Sequence, residues 1–297
     1  MLPRRELLQA ALLLAAERAE ATTGKMTLSM HQFTSARAGF QKSLEGWAKA
    51  GIRNVEPSAG LLDDYLKTDS LASAKRILTD NGLNIVSGAI GVTGLWEPNP
   101  HFSDNLDAFR KRCEQFAELG APLVYSPCVT GAKFAADDYL RCLENIRRTA
   151  DVARQFKLAV AAEFVRNSTF LASLPTALRL HRQAAHPNFG ILFDCYHFWS
   201  GPSKFEDLDL IRPGEIIHAH LNDTQNLPRE LLDLHSRVIP GDGVAPLSRI
   251  LSKLVHTGYH GAISVELFLP QFQEADPSTL AREIRLKCEQ VFKQAGI

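Results

Sequence analysis

The chain has 297 residues, and its 33 Lys and Arg balance 33 Asp and Glu, so the formal net charge is zero. Apolar residues make up 45% and charged residues 22%, which is typical of a globular protein and excludes a disordered or collagen-like chain. A balanced charge also disfavours a general nucleic-acid binder, which needs a basic surface. The length allows one large α/β domain or two small ones.

The first 25 residues differ from the rest of the chain. Arg4 and Arg5 precede an apolar run over 7–16, and a small-x-small stretch follows at 19–21. This order is typical of an export signal, and the paired arginines resemble the twin-arginine type. The run is too short to anchor the protein in a bilayer. We therefore expect 1–25 to be a signal or N-terminal extension, with a periplasmic or exported mature protein. The alternative is an amphipathic helix that caps the fold of a cytoplasmic protein.

From Met26 onward, short apolar runs alternate with amphipathic stretches. The runs predict strands at 26–32, 52–56, 83–91, 122–127, 158–164, 189–196, 215–222 and 261–267. The stretches between them predict helices near 40–50, 63–81, 105–119, 136–156, 176–185, 247–256 and 277–295, and a short helix or turn near 205–211. Eight strand-helix pairs over 26–297 favour a single closed (β/α)8 TIM barrel over a doubly wound open sheet.

The five cysteines are scattered and form no CxxC pair. Neither a disulfide framework nor a Cys-rich zinc site is indicated. We expect buried free thiols that pack as small apolar side chains.

Polar side chains stand at the carboxyl ends of the predicted strands, which in a TIM barrel meet at the active-site face. Four of them come from consecutive strands: Glu163, Asp194, His220 and Glu266. Taken alone, each could be a salt-bridge or hydrogen-bonded core residue. Brought together beside the imidazole, the three carboxylates would repel one another strongly unless a divalent cation bound them. Oxygen-rich ligation with one nitrogen suits Mn²⁺, Mg²⁺ or Co²⁺ better than a structural zinc.

Other polar residues accompany this set. His31 and Glu56 lie in the first two predicted strands, and His197 follows Asp194 by three residues. His218 precedes His220 by two residues and so lies on the same face of its strand, one step deeper in the barrel. We expect His218 to support the metal ligands from behind.

Four segments carry a resemblance to the xylose isomerase-like TIM-barrel superfamily, whose members are often described as sugar phosphate isomerases or epimerases. They are DCYH at 194–197, HAHLND at 218–223, SRVIPGDG at 236–243 and VELF at 265–268. The resemblance covers most of the chain after Met26. It implies a divalent metal on Glu163, Asp194, His220 and Glu266, with Mn²⁺ the expected ion and Mg²⁺, Co²⁺ or Zn²⁺ as alternatives.

Similarity to the ketose 3-epimerase branch implies specific roles. Glu163 and Glu266 would move a proton on and off a carbon beside a carbonyl, which a cation makes removable. His197 and Arg237 would contact the substrate, and we expect further substrate contacts from Glu56 and His31. The expected partner is a small carbohydrate or polyol. The superfamily often forms dimers or tetramers, which leaves a homo-oligomer open.

The sequence also departs from the epimerase pattern. Thr169 stands where those enzymes carry another Glu, and the loop between Asp223 and Arg237 is longer. These differences favour another or a larger substrate, such as a glycoside, a keto-sugar or a cyclitol. Loss of a β-leaving group after the same proton transfer would make a lyase or dehydratase. Less favoured alternatives are a non-catalytic sugar-binding barrel and an apurinic endonuclease, which Asp233 and His235 faintly resemble.

Overall fold

The computed structural model describes residues 26–297, and the predicted signal or extension over 1–25 lies outside the described residues. Eleven strands are numbered in chain order: β1 Thr27–His31, β2 Asn54–Glu56, β3 Asn84–Ile85, β4 Gly88–Ala89, β5 Leu123–Pro127, β6 Ala159–Glu163, β7 Phe189–Asp194, β8 Ile216–Leu221, β9 Asp223–Thr224, β10 Arg237–Val238 and β11 Ala262–Val265. Each barrel strand lies within the limits predicted from its apolar run.

Nine of these strands form one parallel sheet in the order β3-β2-β1-β11-β8-β7-β6-β5-β4. Its two edge strands, β3 and β4, are halves of the single strand predicted at 83–91, which is interrupted at 86–87. The β3 half pairs with β2 and the β4 half pairs with β5, so one interrupted strand joins both edges. A bridge between Ser58 and Ala89 adds a contact across the junction. The prediction of a TIM barrel is therefore confirmed, with strand three split.

Ten α-helices are described: α1 Gly39–Lys49, α2 Ala59–Leu66, α3 Leu71–Asp80, α4 Phe102–Leu119, α5 Asp138–Gln155, α6 Leu174–Ala184, α7 Cys195–Ser200, α8 Leu247–His256, α9 Pro270–Gln273 and α10 Pro277–Ala295. Short 3-10 helices occupy Gln32–Ala38, Phe205–Leu210, Arg229–Leu231 and Leu234–Ser236. Within 26–297, no helix has the length and apolar character needed to cross a membrane.

The helices pack an apolar face against the barrel. In α8 the buried residues recur at helical spacing: Leu247, Ile250, Leu251 and Leu254. Close packing also explains a glycine in β4, because a Cβ on Gly88 would lie 2.2 Å from the Phe116 ring. All five cysteines are buried and free, as predicted.

The helix predicted at 63–81 is wrong in its continuity, because two helices occupy this region. Ser70 has an extended backbone, with φ −114° and ψ 160°, and its side chain accepts the amide hydrogen bond of Ser73. A serine cap of this kind begins a new helix. The polar stretch 68–70 therefore separates α2 from α3.

Candidate metal centre

Four adjacent strands of the barrel bring the predicted metal ligands together. Glu163 and Asp194 are the last residues of β6 and β7, His220 lies near the end of β8, and Glu266 directly follows β11. All four side chains are buried. Each offers one ligand atom, and these atoms lie within 4.8 Å of one another. The His220 Nδ1 atom is 3.5 Å from Glu163 Oε1, 3.7 Å from Asp194 Oδ2 and 3.5 Å from Glu266 Oε2.

This cluster fits a divalent cation. Glu163 Oε1 and His220 Nδ1 are buried and, among the described residues, have no hydrogen-bond partner. A buried polar atom without a partner costs free energy, and a cation between these two atoms would satisfy both. Three carboxylates and one imidazole are a donor set that suits Mn²⁺, Mg²⁺, Co²⁺ or Zn²⁺.

The three carboxyl groups of the cluster differ in pKa. Burial raises the pKa of Glu163 to about 7. Burial acts on Glu266 in the same direction, but His220 and Arg237 outweigh it and lower the pKa of Glu266 to about 2. For Asp194, the charges of Arg237 and His197 likewise overcome burial and hold the pKa well below its usual range. The effect of burial is therefore least compensated at Glu163, and a bound cation would compensate it.

Arg237 is a buried cation at the edge of the cluster. Its Nη1 donates to Glu266 Oε2 at 2.8 Å, and its Nη2 lies 3.5 Å from Asp194 Oδ2. The same Nη2 is 2.9 Å from His197 Nε2. The guanidinium carbon lies 4.8 Å from the centre of the Phe268 ring. Arg237 therefore links two of the predicted metal-ligand carboxylates to His197.

The Gly-Asp-Gly turn fixes the segment that carries Arg237. Arg237 pairs with Thr224 in the β9–β10 hairpin. The Asp223 carboxylate accepts the backbone N–H groups of Gly241 and Ala245 at 3.0 and 2.9 Å. A Cβ on Gly243 would lie 2.4 Å from Asp223 Oδ1, so a glycine is required there. The hydrogen-bonded turn and the hairpin thus fix the backbone that carries Arg237.

His197 enters the site through a helix that the sequence did not predict. A strand was expected to continue to Tyr196, but β7 ends at Asp194 and α7 begins at once. Asp194 Oδ1 accepts the His197 N–H at 2.6 Å and caps the helix. Burial lowers the pKa of His197 to about 4. The strand prediction was wrong here because the apolar run CYHFW suits a strand or a buried helix equally well.

His31 and Glu56 reach the cluster from β1 and β2, the two strands that follow β11 in the sheet. His31 Nε2 is 3.1 Å from the Tyr125 hydroxyl and 3.6 Å from Glu266 Oε1. Glu56 Oε2 lies 3.0 Å from His218 Nε2 and 3.2 Å from His220 Nε2. Both residues, which were predicted to bind substrate, therefore contact side chains that were predicted to bind the metal.

Two residues of the site were not singled out from the sequence. Asn222, directly after β8, donates from Nδ2 to Asp194 Oδ2 at 2.9 Å. Tyr125 lies in β5, and its ring centre is 5.0 Å from that of His220. Asn222 could have been predicted, because it is a polar residue directly after a strand end. Tyr125 could not, because a single tyrosine inside an apolar strand does not indicate a site.

Arg166 holds the loop between Asp223 and Arg237 against the barrel. Its guanidinium donates to the carbonyl oxygens of Ser200, Leu232 and Arg229, and its backbone N–H donates to His197 Nδ1. Thr169 is exposed and donates to the carbonyl oxygen of Ala132 at 2.6 Å, so it supplies no carboxylate.

The endonuclease-like element lies apart from the four-residue cluster. The side chains of Asp233 and His235 are 66% and 59% exposed, and each contacts the other at 3.8 Å. Within 26–297, neither residue belongs to a cluster of side chains that could hold a metal ion.

Comparison with known proteins identifies several similar chains. A family model described as xylose isomerase-like TIM barrel matches residues 44–287. An inosose isomerase from Halalkalibacterium halodurans is 27% identical over 84% of this chain and 90% of its own length. A 3-dehydroshikimate dehydratase from Pseudomonas putida is 28% identical over 79% of this chain, but over 37% of its own length.

Solved structures share the fold. The IOLI protein with a bound zinc atom has a TM-score of 0.85 and 22% identity, covering 91% of this chain and 99% of its own. A D-psicose 3-epimerase from Clostridium cellulolyticum has a TM-score of 0.72 and 17% identity, with coverage of 91% and 99%. At these identities the likeness concerns the fold alone.

Proposed function

We propose that this chain, which belongs to the xylose isomerase-like TIM-barrel family, is a divalent-metal-dependent isomerase or epimerase of a sugar or cyclitol. The observation that carries the proposal is the buried cluster of Glu163, Asp194, His220 and Glu266 at the carboxyl ends of adjacent strands. Curated relatives named inosose isomerase and structural neighbours named 3-epimerase support the same reaction class.

The cluster residues would hold the cation, which when bound stabilises the negative oxygens of an enediolate. We propose Mn²⁺ as the bound ion, with Mg²⁺, Co²⁺ or Zn²⁺ as alternatives. The neighbour with a bound zinc atom supports a divalent ion and leaves its identity open.

Glu163 and Glu266 are the residues to which we assign proton transfer. One carboxylate takes the proton from the carbon beside the carbonyl, and a carboxylate then returns a proton to that carbon or its neighbour. Return to the opposite face of the same carbon gives an epimer, and return to the neighbouring carbon gives an isomer. His197, Arg237 and His31 each lie within 4.0 Å of one of these two glutamates, and we assign them to substrate hydroxyl contacts.

Elimination is the second candidate. The same carboxylate removes the α-proton, and the bond to a β-substituent then breaks, with its electron pair leaving on the substituent. Relatives named 3-dehydroshikimate dehydratase favour this outcome. Thr169 and the longer loop held by Arg166 also favour a substrate other than a free ketose.

A solvent-exchange experiment tests the proposed function. The full chain with Mn²⁺ is incubated in D₂O with free, phosphorylated and 3-keto sugars and with inososes, and products are followed by NMR. We expect deuterium at the carbon beside the carbonyl, and loss of a substituent would identify the elimination. Ion binding without exchange on any substrate would favour a non-catalytic sugar-binding barrel and contradict the proposal. Cleavage of abasic DNA would instead favour an endonuclease.

We also propose export, because of the paired arginines and apolar run within 1–21. N-terminal sequencing of the mature protein from its host tests this assignment. A start just after Ala21 supports export, and a chain that begins at Met1 contradicts it.

A further inference from the structure

A second group of buried side chains lies directly behind the metal-ligand cluster. It consists of Glu56, His218 and His220, with Ser264 beside it. Glu56 is at the end of β2, and the two histidines are on β8. In the sheet, β1 and β11 separate those two strands, so Glu56 reaches His218 and His220 through the barrel interior. Glu56, His220 and Ser264 are completely buried, and His218 is 1% exposed.

One oxygen of Glu56 faces both imidazoles. Its Oε2 is 3.0 Å from His218 Nε2 and 3.2 Å from His220 Nε2, both within hydrogen-bond distance. A carboxylate only accepts hydrogen bonds, so each of these nitrogens must carry the hydrogen. A neutral imidazole has one N–H, which leaves Nδ1 of His220 with a free lone pair. That is the nitrogen facing Glu163, Asp194 and Glu266.

His218 holds the carboxylate in this position. The ring planes of His218 and His220 are 86° apart, with their centres separated by 5.5 Å, so the two N–H groups approach Glu56 from different directions. Ser264 Oγ lies 3.3 Å from His218 Nε2 and fixes that ring. The other oxygen of Glu56, Oε1, is buried and has no hydrogen-bond partner within 26–297. The orientation of Glu56 therefore depends on the contacts of Oε2.

We propose that Glu56 is a positioning residue that sets the orientation and tautomer of the metal ligand His220, and that His218 is the second anchor of Glu56. This inference rests on the proposed metal-dependent function. Carboxylates that accept the remote N–H of a ligand histidine fix its ring and raise its basicity. Glu56 thus supports the cation from behind, rather than contacting the substrate.

Metal affinity of full-length variants tests the proposal without relying on turnover. Mn²⁺ or Co²⁺ dissociation constants are measured by competition with a chromophoric chelator, together with ion content and thermal unfolding. We expect Glu56→Gln to weaken binding about 10- to 100-fold, the range found for partners of metal-binding histidines. His218→Leu should weaken it less, because His220 keeps its acceptor. The visible spectrum of bound Co²⁺ should also shift in both variants.

Glu215→Gln is the matched control, because Glu215 is also a buried glutamate but lies before β8, at the opposite end of the barrel. It should bind the ion with wild-type affinity. Wild-type affinity and an unchanged Co²⁺ spectrum in both Glu56→Gln and His218→Leu would overturn the proposal, while leaving the proposed function intact.

A different outcome would also overturn the positioning role. The atoms of Glu56, His218 and His220 are close enough to act as ligands themselves. Two ions per wild-type chain and a single ion in Glu56→Gln would assign them to a second cation. If Glu56→Gln fails to fold, His218→Leu measures the same affinity and ion count. A wild-type protein that binds no ion would instead contradict the proposed function.

Discussion

Arg237 determines much of the charge balance at the candidate site. It forms ion pairs with Glu266 and Asp194 while almost completely buried. A buried charge is tolerated only when paired, because the low local dielectric makes an unpaired charge costly. Arg237 therefore compensates part of the carboxylate charge, whereas burial raises the pKa of Glu163.

Glu266→Gln tests the proton-transfer role at the residue scale. The amide retains an oxygen for the cation but cannot take a proton, so turnover should fall by roughly 10²-fold or more, while ion content is largely kept. Steady-state kinetics on the substrate found by solvent exchange measures this effect. Near-normal turnover would refute the assignment, and Glu215→Gln serves as the equivalent change far from the site.

The positions and contacts of single residues were predictable from the sequence to different degrees. Glu163, Asp194, His220 and Glu266 stand at the ends of apolar strands, and parallel strands bring such positions together. The partners of Glu56 were not predictable, because they depend on which side chains cross the barrel interior. A strand-end carboxylate looks the same in sequence whether it faces substrate or an imidazole.

At the scale of elements, helix boundaries were predicted well where amphipathic spacing is strong. The limits of α8 and α10 match the predicted 247–256 and 277–295. The predicted boundaries were wrong where a single side chain decides between two backbone conformations. Ser70 divides α2 from α3, and Asp194 ends β7 and caps α7. Both interruptions depend on capping hydrogen bonds, which apolar spacing does not reveal.

An ion pair at the opposite end of the barrel joins α6 to the start of β8. Arg182 donates to both oxygens of Glu215, at 2.6 and 2.9 Å, and the Arg212 N–H donates to one of them. Burial alone would raise the pKa of Glu215, but these hydrogen bonds outweigh it and lower the pKa below 4.5. A carboxyl with a lowered folded-state pKa stabilises the fold above its ordinary pKa.

Glu215→Gln should therefore lower the free energy of unfolding by about 2 kcal/mol at pH 7, the scale of hydrogen bonds to a charged group. The difference from wild type should shrink as the pH falls below 4.5 and the wild-type carboxyl takes up a proton. Thermal or urea unfolding at several pH values measures it. A difference that stays constant from pH 7 to pH 3 would contradict the assigned ion pair.

For the whole molecule, closure of the barrel creates the candidate site. The split third strand joins both edges of the sheet, and closure brings β2 within reach of β8. An open sheet would leave Glu56 and His220 on separated strands. The number of strand-helix pairs predicted this architecture, whereas the interruption at 86–87 was not visible in a continuous apolar run.

The central claim is that a single divalent cation binds Glu163, Asp194, His220 and Glu266. Metal analysis of the purified full chain, beside Asp194→Asn, tests it most directly. The asparagine can still cap α7 through Oδ1, which places its Nδ2, a hydrogen-bond donor, where the ligand oxygen Oδ2 of Asp194 lies. Unlike Glu266→Gln, the substitution therefore removes the ligand atom as well as the charge. We predict a single divalent ion per wild-type chain and a large loss of that ion in the folded variant. A wild-type protein that stays free of metal when Mn²⁺, Mg²⁺, Co²⁺ and Zn²⁺ are supplied, or a variant that retains its full ion content, would contradict the account.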